Sequence, residues 1–346
     1  MEELFDQGGT MRHSKNLFAL IAGILVLSLV AAACGGSDDE ADAGDTAEVT
    51  GSVNVSGSST VEQISSLNAE KFAGENPSVE IAVDGPGTSD GFELFCAGDT
   101  DMNDASRAID DEEADACEAA GVTPVELEVG LDALTVVTNP ENPVDCLALG
   151  DLYALFGPES EGFTQWSDAN ELATEVGGNG GLPDVPLTIV APGEESGTYG
   201  SFIEIALADI AEAQKQPDDQ LRKDYQASGD DNVIIDNAAN NSSGLGFVGL
   251  SFALGAGDTV KAVEVDGGDG CVAPSEETVI DGTYPLARSL YIYPSAEKAA
   301  VNAAVAAFVD YYLTDEGLAS VSEVGYVSLP DDRVRATRSA WEKAVG

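Results

Sequence analysis

Histidine is almost missing from this sequence of 346 residues, since His13 is the only one. If residues 1–33 are removed after synthesis, the remaining chain has none. A chain without histidine cannot use a Ser-His-Asp triad, a Cys-His pair or a histidine-ligated metal. These three kinds of site are therefore excluded from the remaining chain. We also expect that the protein is not an enzyme and holds no metal or cofactor.

Basic residues are also scarce, because 14 Lys and Arg stand against 63 Asp and Glu, for a net charge of -49. Nucleic-acid binding depends on clustered Lys and Arg, so this composition excludes a nucleic-acid partner. Hydrophobic residues make up 43% of the chain, which is enough to build packed cores. The length predicts two parts of ordinary domain size.

The longest apolar run, LFALIAGILVLSLVAAA, covers residues 17–33 and follows Arg12, His13 and Lys15. A cationic start followed by a short apolar stretch is typical of a secretory signal. Seventeen residues are close to the length of a membrane-spanning helix, so an N-terminal membrane anchor is the alternative. We predict a signal peptide over residues 1–33.

Cys34 directly follows three alanines, and this junction resembles a bacterial lipobox, in which the cysteine is lipidated and becomes the new N-terminus. We expect lipid, palmitate included, to anchor the protein on the outer face of the cytoplasmic membrane. Residues 34–51 then form an acidic tether, and the folded body starts near Ser52. Acidic residues before Met11 do not suit a signal, so translation is predicted to start at Met11.

Four cysteines remain once Cys34 is assigned to the lipid. An even number in an exported chain predicts two disulfides. No C-x-x-C spacing is present, and without histidine a zinc site would need all four thiolates. Counting alone leaves three pairings open among Cys96, Cys117, Cys146 and Cys271.

Short β-like runs alternate with helical ones, which is the pattern of α/β units. The predicted strands lie in residues 53–56, 79–85, 125–139, 187–193, 244–254, 260–265 and 289–293, with one more just before Arg107. The predicted helices include those near residues 111–120, 295–313, 315–322 and 333–344.

Three turns share one design, in which Gly, Ser and Thr stand between a strand end and a helix start. They are GSST (57–60), GPGTSDG (85–91) and ESGT (195–198). Small residues expose backbone N–H groups, hydroxyls add donors, and a helix N-terminus favours negative charge. Helix capping explains any one of these turns by itself. Three in one chain favour an oxyanion site.

Arg107 is the only cation between Lys71 and Lys215. A surface ion pair is the ordinary explanation for an arginine among so many carboxylates. Its place just after a predicted strand favours a ligand role, because open α/β sheets bind ligands at that edge. A guanidinium also offers a planar fork that suits tetrahedral oxyanions.

In order over residues 52–330, the segments GSSTV, DGPGTSDGF, DASR, PGEESGT, SGDDN and GLGFVG resemble the phosphate-binding lipoproteins of bacterial ABC phosphate importers. The match is best to the subgroup with PGxxSGT. The resemblance implies an α/β, two-lobed class II periplasmic-binding-protein fold of the Venus-flytrap type, with two hinge crossings. It implies a monomer that captures inorganic phosphate between the lobes and delivers it to ABC permease subunits in the membrane.

Carried over residue by residue, the resemblance also implies the phosphate ligands. Some members have an aspartate where this chain has Arg107, and an arginine where it has Pro192. Asp132, on a predicted crossing, is expected to supply the missing carboxylate, either by pairing with Arg107 or by accepting the proton of HPO₄²⁻. The other implied ligands are Thr60, the Val61 N–H, Thr88, Ser89, Ser196, the Gly197 N–H and Thr198.

The implied crossings fall near residues 130–134 and 284–288. Lobe I then comprises residues 52–130 and 288–346, and lobe II comprises residues 131–287. This layout favours the disulfides Cys96–Cys117 and Cys146–Cys271, because either other pairing would join the two lobes and block closure.

Three other functions compete with phosphate capture. A binding protein for sulfate or molybdate would use the same fold. A secreted phosphohydrolase would need a nucleophile, but Gly193 to Gly197 reads G-x-x-S-G rather than G-x-S-x-G. A structural or adhesive surface lipoprotein would not need three anion-type turns.

Overall fold

The computed structural model describes residues 48–194 and 196–346. The predicted signal peptide, Cys34 and most of the tether lie outside these residues, as does Glu195 in the third turn. Within the described ranges, no helix has both the length and the apolar character that crossing a bilayer requires.

The secondary structure alternates strands and helices, with a π-helical turn at Ile203–Leu207 between two helices. The strands are β1 (Gly51–Gly57), β2 (Val79–Asp84), β3 (Met102–Ala105), β4 (Leu127–Thr138), β5 (Cys146–Ala148), β6 (Thr188–Ala191), β7 (Gln226–Ala227), β8 (Gly244–Gly249), β9 (Lys261–Ala262), β10 (Glu264–Asp266), β11 (Cys271–Val272), β12 (Ala287–Pro294) and β13 (Val327–Ser328). The helices are α1 (Ser59–Glu75), α2 (Thr88–Ala97), α3 (Asp111–Ala120), α4 (Leu149–Phe156), α5 (Asn170–Glu175), α6 (Gly197–Phe202), α7 (Ala208–Gln214), α8 (Asp231–Asn240), α9 (Leu250–Ala256), α10 (Glu276–Ile280), α11 (Ala296–Val301), α12 (Ala303–Tyr312), α13 (Asp315–Glu323) and α14 (Asp331–Val345).

The main sheet has the strand order β2-β1-β3-β12-β4-β8-β6-β7, and β9 and β13 add to β4. The strands β1, β2 and β3 run parallel, as do β8, β6 and β7. Between these two groups, β12 and β4 run antiparallel to their neighbours. A smaller sheet has the order β11-β10-β5.

The long strand β4 takes part in both halves of the sheet. Its first half pairs with β12, with Asp132 opposite Arg288. Its second half, from Leu134 to Thr138, pairs with β8. Side chains of β4 therefore stand between the two parallel groups of strands, where a ligand could contact both.

Two large hydrophobic cores lie on either side of this junction. One core packs Ile64, Phe72 and Phe308 against β1, β2 and β12. The other packs Trp166 and Phe202 together with residues of β4, β6 and β8. The α/β, two-lobed fold class is thereby confirmed, while the residue boundaries of the lobes stay a prediction.

Each disulfide joins two elements that are neighbours in the fold. Cys96 is bonded to Cys117, between α2 and α3, with an S–S distance of 1.98 Å. Cys146 is bonded to Cys271, between β5 and β11 of the small sheet, at 1.94 Å. These are the two pairs that the sequence favoured.

Some predicted elements have different limits in the structure. The run predicted as one strand over residues 244–254 is β8 followed by α9, because an apolar run alone does not distinguish a buried strand from a buried helix. The helix predicted over residues 295–313 is divided at Asn302, whose side chain caps α12 by accepting the Ala304 N–H at 3.1 Å. The strand predicted over residues 260–265 is also divided, into β9 and β10.

A buried polar network underlies the start of α1. The Ser65 hydroxyl donates to Oδ1 of Asp104 at 2.9 Å, and it lies 3.2 Å from the Tyr312 hydroxyl. Oδ2 of Asp104 is buried and has no hydrogen-bond partner among the described residues. Burial raises the pKa of Asp104 to about 8, the Ser65 hydrogen bond opposes this rise, and the charges of Glu62 and Asp84 add to it.

Candidate functional site

The first two glycine-containing turns lie directly against each other. The Gly87 N–H donates to the Gly57 carbonyl at 2.9 Å, and the Ser58 N–H donates to the Asp104 carbonyl at 2.8 Å. Gly57 has φ +142°, and a Cβ atom there would lie 2.0 Å from the Asp104 carbonyl oxygen. A Cβ at Gly91 would lie 2.5 Å from the Cα of Gly57. Glycine is required at both positions because the two backbones are in contact.

The Thr88 hydroxyl of the second turn contacts Ser106, which directly follows β3. The Ser106 N–H donates to the Thr88 hydroxyl at 3.2 Å, and the two hydroxyl oxygens are also 3.2 Å apart. Ser58 caps α1 by accepting the Thr60 N–H at 3.3 Å. Val61 is fully buried and does not line the cleft described below, so the ligand role of its backbone N–H stays a prediction.

A cleft of about 550 Å³ opens beside these turns. Its walls come from the second turn, from the end of β3, from the π-helical turn and from β12. The lining residues are Pro86, Gly87, Thr88, Ser89, Asp90, Ser106, Arg107, Glu204, Ile205 and Arg288. Two arginines and several hydroxyls in one cleft form an environment suited to an oxyanion.

Arg288 is the side chain of this cleft that joins several separate parts of the fold. Its Nη2 donates to the hydroxyls of Thr60 and Ser201, both at 3.1 Å. Its Nε lies 3.3 Å from Oδ2 of Asp132, and its Nη1 is bonded to the Glu204 carboxylate. The guanidinium thus connects the first turn, β4 and the helical segment that follows the third turn.

The sequence analysis did not identify Arg288. The residue enters the site because β12 runs antiparallel to β4 in a register that places it opposite Asp132. One signal could have found it, namely a cation at the end of the predicted crossing near residues 284–288. Ser201 and Glu204 were also missed, because both looked like ordinary positions within a helix.

Arg107 lies at the cleft, but another group already neutralises it. Its guanidinium binds both oxygens of Glu113, at 2.6 and 2.8 Å, and donates to the Ser89 hydroxyl at 2.9 Å. The hydrogen-bonded Glu113 carboxylate raises the pKa of Arg107 above its usual value. The expected pairing of Arg107 with Asp132 is wrong, because the strand register gives Asp132 to Arg288.

Asp132 is a buried carboxylate with spare hydrogen-bonding capacity. Its side chain is 1% exposed, and its Oδ1 has no hydrogen-bond partner among the residues that the structure describes. Burial raises the pKa of Asp132 above its usual value, although the charge of Arg288 acts in the opposite direction. Asp132 is therefore a buried acceptor next to Arg288, and it does not itself line the cleft.

The third turn lies near the first turn, but it does not line the cleft. Ser196 caps α6 by accepting the Thr198 N–H at 3.2 Å. A Cβ at Gly197 would lie 2.1 Å from the side-chain nitrogen Nε2 of Gln63 on α1. The start of α6 is therefore in close contact with α1. The ligand roles of Ser196, Gly197 and Thr198 stay predictions.

A two-lobed α/β fold with a polar cleft beside its shared strand is the architecture of a substrate-binding protein. Among residues 48–194 and 196–346, no group of three or more His, Cys, Asp or Glu side chains is arranged to hold a metal ion.

Comparison with known proteins gives the family. A family model described as a PBP superfamily domain matches residues 43–316. Protein SphX of Synechococcus elongatus is 39% identical over 281 residues, which are 80% of this chain and 77% of that protein. The phosphate-binding protein PstS of Staphylococcus epidermidis is 31% identical over 309 residues, covering 89% of this chain and 87% of that one.

A solved structure agrees with these relatives. The crystal structure of a possible phosphate binding protein from Planctomyces limnophilus has a TM-score of 0.77 and 30% identity, covering 86% of this chain and all of that one. The chain belongs to the PBP superfamily and, within it, to the PstS-type binding proteins.

Proposed function

We propose that this protein captures inorganic phosphate in the cleft beside Arg288 and delivers it to an ABC permease. The observation that carries the proposal is the position of Arg288, whose guanidinium meets the hydroxyls of Thr60 and Ser201 at one end of the cleft. Charge-assisted hydrogen bonds from a guanidinium are among the strongest that proteins make to phosphate. The PstS relative is a phosphate-binding protein and the Planctomyces structure is described as a possible phosphate binding protein, which supports the same ligand.

Directed donors compensate for the overall acidity of the chain. A net charge of -49 repels anions at long range, but salt at 0.1 M screens such fields beyond about 10 Å. Thr88 and Ser89 of the second turn and Arg107 at the rim add donors to those around Arg288. Short-range hydrogen bonds then outweigh the distant field, and capture needs no basic surface.

The proposed function also includes delivery of phosphate to the permease at the membrane. We infer that the signal peptide directs export and that lipid on Cys34 holds the monomeric protein on the outer face of the cytoplasmic membrane. Closure of the two lobes around phosphate would create the form that permease subunits recognise. The PstS relative, named a phosphate-binding protein, supports a binding protein rather than an enzyme.

Titration calorimetry of the purified protein with phosphate, sulfate and molybdate tests the proposal. We expect phosphate to bind in a single site and to bind more tightly than the other two anions. Preferential binding of sulfate or molybdate would favour the alternative of another oxyanion on the same fold. Hydrolysis of a phosphomonoester by the same sample would instead favour a secreted phosphohydrolase.

Asp132→Asn should weaken discrimination between phosphate and sulfate. A carboxylate acceptor next to the ligand favours an anion that carries a proton, and sulfate carries none at neutral pH. Losing one charge-assisted hydrogen bond, about 1.5–3 kcal/mol, should lower the phosphate-to-sulfate affinity ratio by about tenfold or more. Competition calorimetry measures this ratio, and an unchanged ratio would assign the acceptor role to another carboxylate.

A further inference from the structure

Glu204 stands out among the cleft residues because it brings a negative charge into a site built from donors. It lies in the π-helical turn Ile203–Leu207, which interrupts the helical segment between α6 and α7. Such π-helical turns are rare and are frequently found at functional sites. The Glu204 carboxylate lines the cleft and is bonded to Nη1 of Arg288.

The two carboxylates on Arg288 differ in how firmly they are held. The Asp132 side chain is 1% exposed and enclosed, so it cannot leave the guanidinium without remaining buried. The Glu204 side chain is 49% exposed, so its carboxylate can rotate into water. An exposed ion pair is worth little, and breaking it costs correspondingly little. Arg288 thus has one permanent acidic partner and one that can be exchanged.

We propose that Glu204 is an internal competitor of the anionic ligand and sets the affinity of the site. This inference rests on the proposed function, because it assumes that Arg288 binds the captured anion. The carboxylate and the ligand are both negative groups that seek the same guanidinium N–H donors. Each binding event must therefore displace Glu204 or accept its repulsion, and the affinity is lower than the donors alone would give.

The two possible roles of Glu204, competitor and hydrogen-bond acceptor, affect the affinities for phosphate and sulfate differently. A competing carboxylate opposes every dianion to the same degree, whether or not the ligand carries a proton. An acceptor for a phosphate proton would favour phosphate and oppose sulfate. The effect of removing the Glu204 charge on both anions therefore identifies its role.

The experiment compares Glu204→Gln with Asp209→Asn in the purified protein. Asp209 is an exposed carboxylate at the start of α7 and does not line the cleft, so its variant controls for the loss of one negative charge nearby. We expect Glu204→Gln to bind phosphate and sulfate more tightly than wild type by the same factor, about three- to tenfold. Asp209→Asn should match wild type.

Each other outcome overturns the inference. Weaker phosphate binding with tighter sulfate binding would make Glu204 an acceptor of the ligand's proton. Unchanged affinities, or equal gains in Asp209→Asn, would also refute competition. Glu204→Ala repeats the test if Glu204→Gln does not fold. Failure of wild type to bind either anion refutes the proposed function itself, whereas normal wild-type binding without a gain in Glu204→Gln refutes only the competition.

Discussion

Replacing Arg288 by alanine should reduce phosphate affinity by at least about 100-fold, which corresponds to about 2.7 kcal/mol. The substitution removes the guanidinium that joins the hydroxyls of Thr60 and Ser201 beside the cleft. Arg288→Lys keeps a positive charge but loses the planar fork, so we expect an intermediate loss of about tenfold. Titration calorimetry of the three proteins measures both effects.

Loss of binding must be separated from loss of folding. Arg288→Ala leaves Asp132 buried without its cation, which costs about 3–5 kcal/mol of stability. Arg333 offers a matched control, because it forms a comparable partly buried pair with Glu128 on the same strand β4 and does not line the cleft. Arg333→Ala should lose stability and keep phosphate affinity, and circular dichroism confirms which variants are folded.

Comparing Arg107→Ala with Arg288→Ala shows which of the two arginines contributes more to phosphate affinity. Both arginines are paired with carboxylates, but the Arg107 side chain is 39% exposed and that of Arg288 is 16% exposed, so water weakens hydrogen bonds at Arg107 more strongly. We therefore expect Arg107→Ala to weaken phosphate binding much less than Arg288→Ala. A larger loss in Arg107→Ala would restore the assignment that the sequence favoured and would remove Arg288 from the centre of the site.

Asp104 should make the protein less stable as the pH rises. Its pKa is raised from 3.8 to about 8, so the folded protein keeps this proton over a range in which the unfolded chain has lost it. The folded state then binds more protons, and the free energy of unfolding must fall with increasing pH in that range. The change attributable to Asp104 is about 4 kcal/mol between about pH 5 and about pH 9.

The contribution of Asp104 to the pH dependence of stability is obtained by subtracting the unfolding free energy of wild type from that of Asp104→Asn. Urea unfolding of wild type and Asp104→Asn across this pH range gives two curves, and their difference removes the carboxylates they share. We expect the variant to gain about 4 kcal/mol relative to wild type as the pH rises. Asp99→Asn, at an exposed position, should follow wild type. A constant difference between wild type and Asp104→Asn would show that Asp104 is ionised in the folded protein throughout.

Three acidic or phenolic groups interact electrostatically with Asp104. Glu62 lies on α1, Asp84 ends β2 and Tyr312 lies on α12. The charges of Glu62 and Asp84 favour the protonated form of Asp104. Burial raises the pKa of Tyr312 well above its ordinary value. Tyr312 therefore keeps its proton over the stated range, in which Asp104 titrates.

Local patterns were enough to predict most strands and the helix starts beside the site. The turns that contain Thr60 and Thr88 could be predicted because a strand, a small-residue turn and a helix follow one another within a few positions, and hydrogen bonding there is local. The ligand roles of both residues came from the resemblance and stay predictions. The acidic helix predicted over residues 111–120 is α3 with nearly the same limits. The limits of α9 were missed, since an apolar run fits a buried strand equally well.

The centre of the site could not be predicted in the same way. Arg288 and Thr60 are 228 positions apart, and only the pairing of β12 with β4 brings them together. Register between distant strands depends on the whole sheet, so the sequence around Arg288 does not show which residues it contacts. The partner of Arg107 was likewise misjudged, although the nearby capping box of α3 contains Glu113.

The backbone contact between Gly57 and Gly91 limits how the cleft can respond to a ligand. With no side chains between them, the backbones of the first two turns are in direct contact. We therefore expect the two turns to move together. Little ordering entropy then remains to be lost on that side when an anion arrives. Adaptation to ligands of different size must come from the opposite wall, where Glu204 and Ile205 lie.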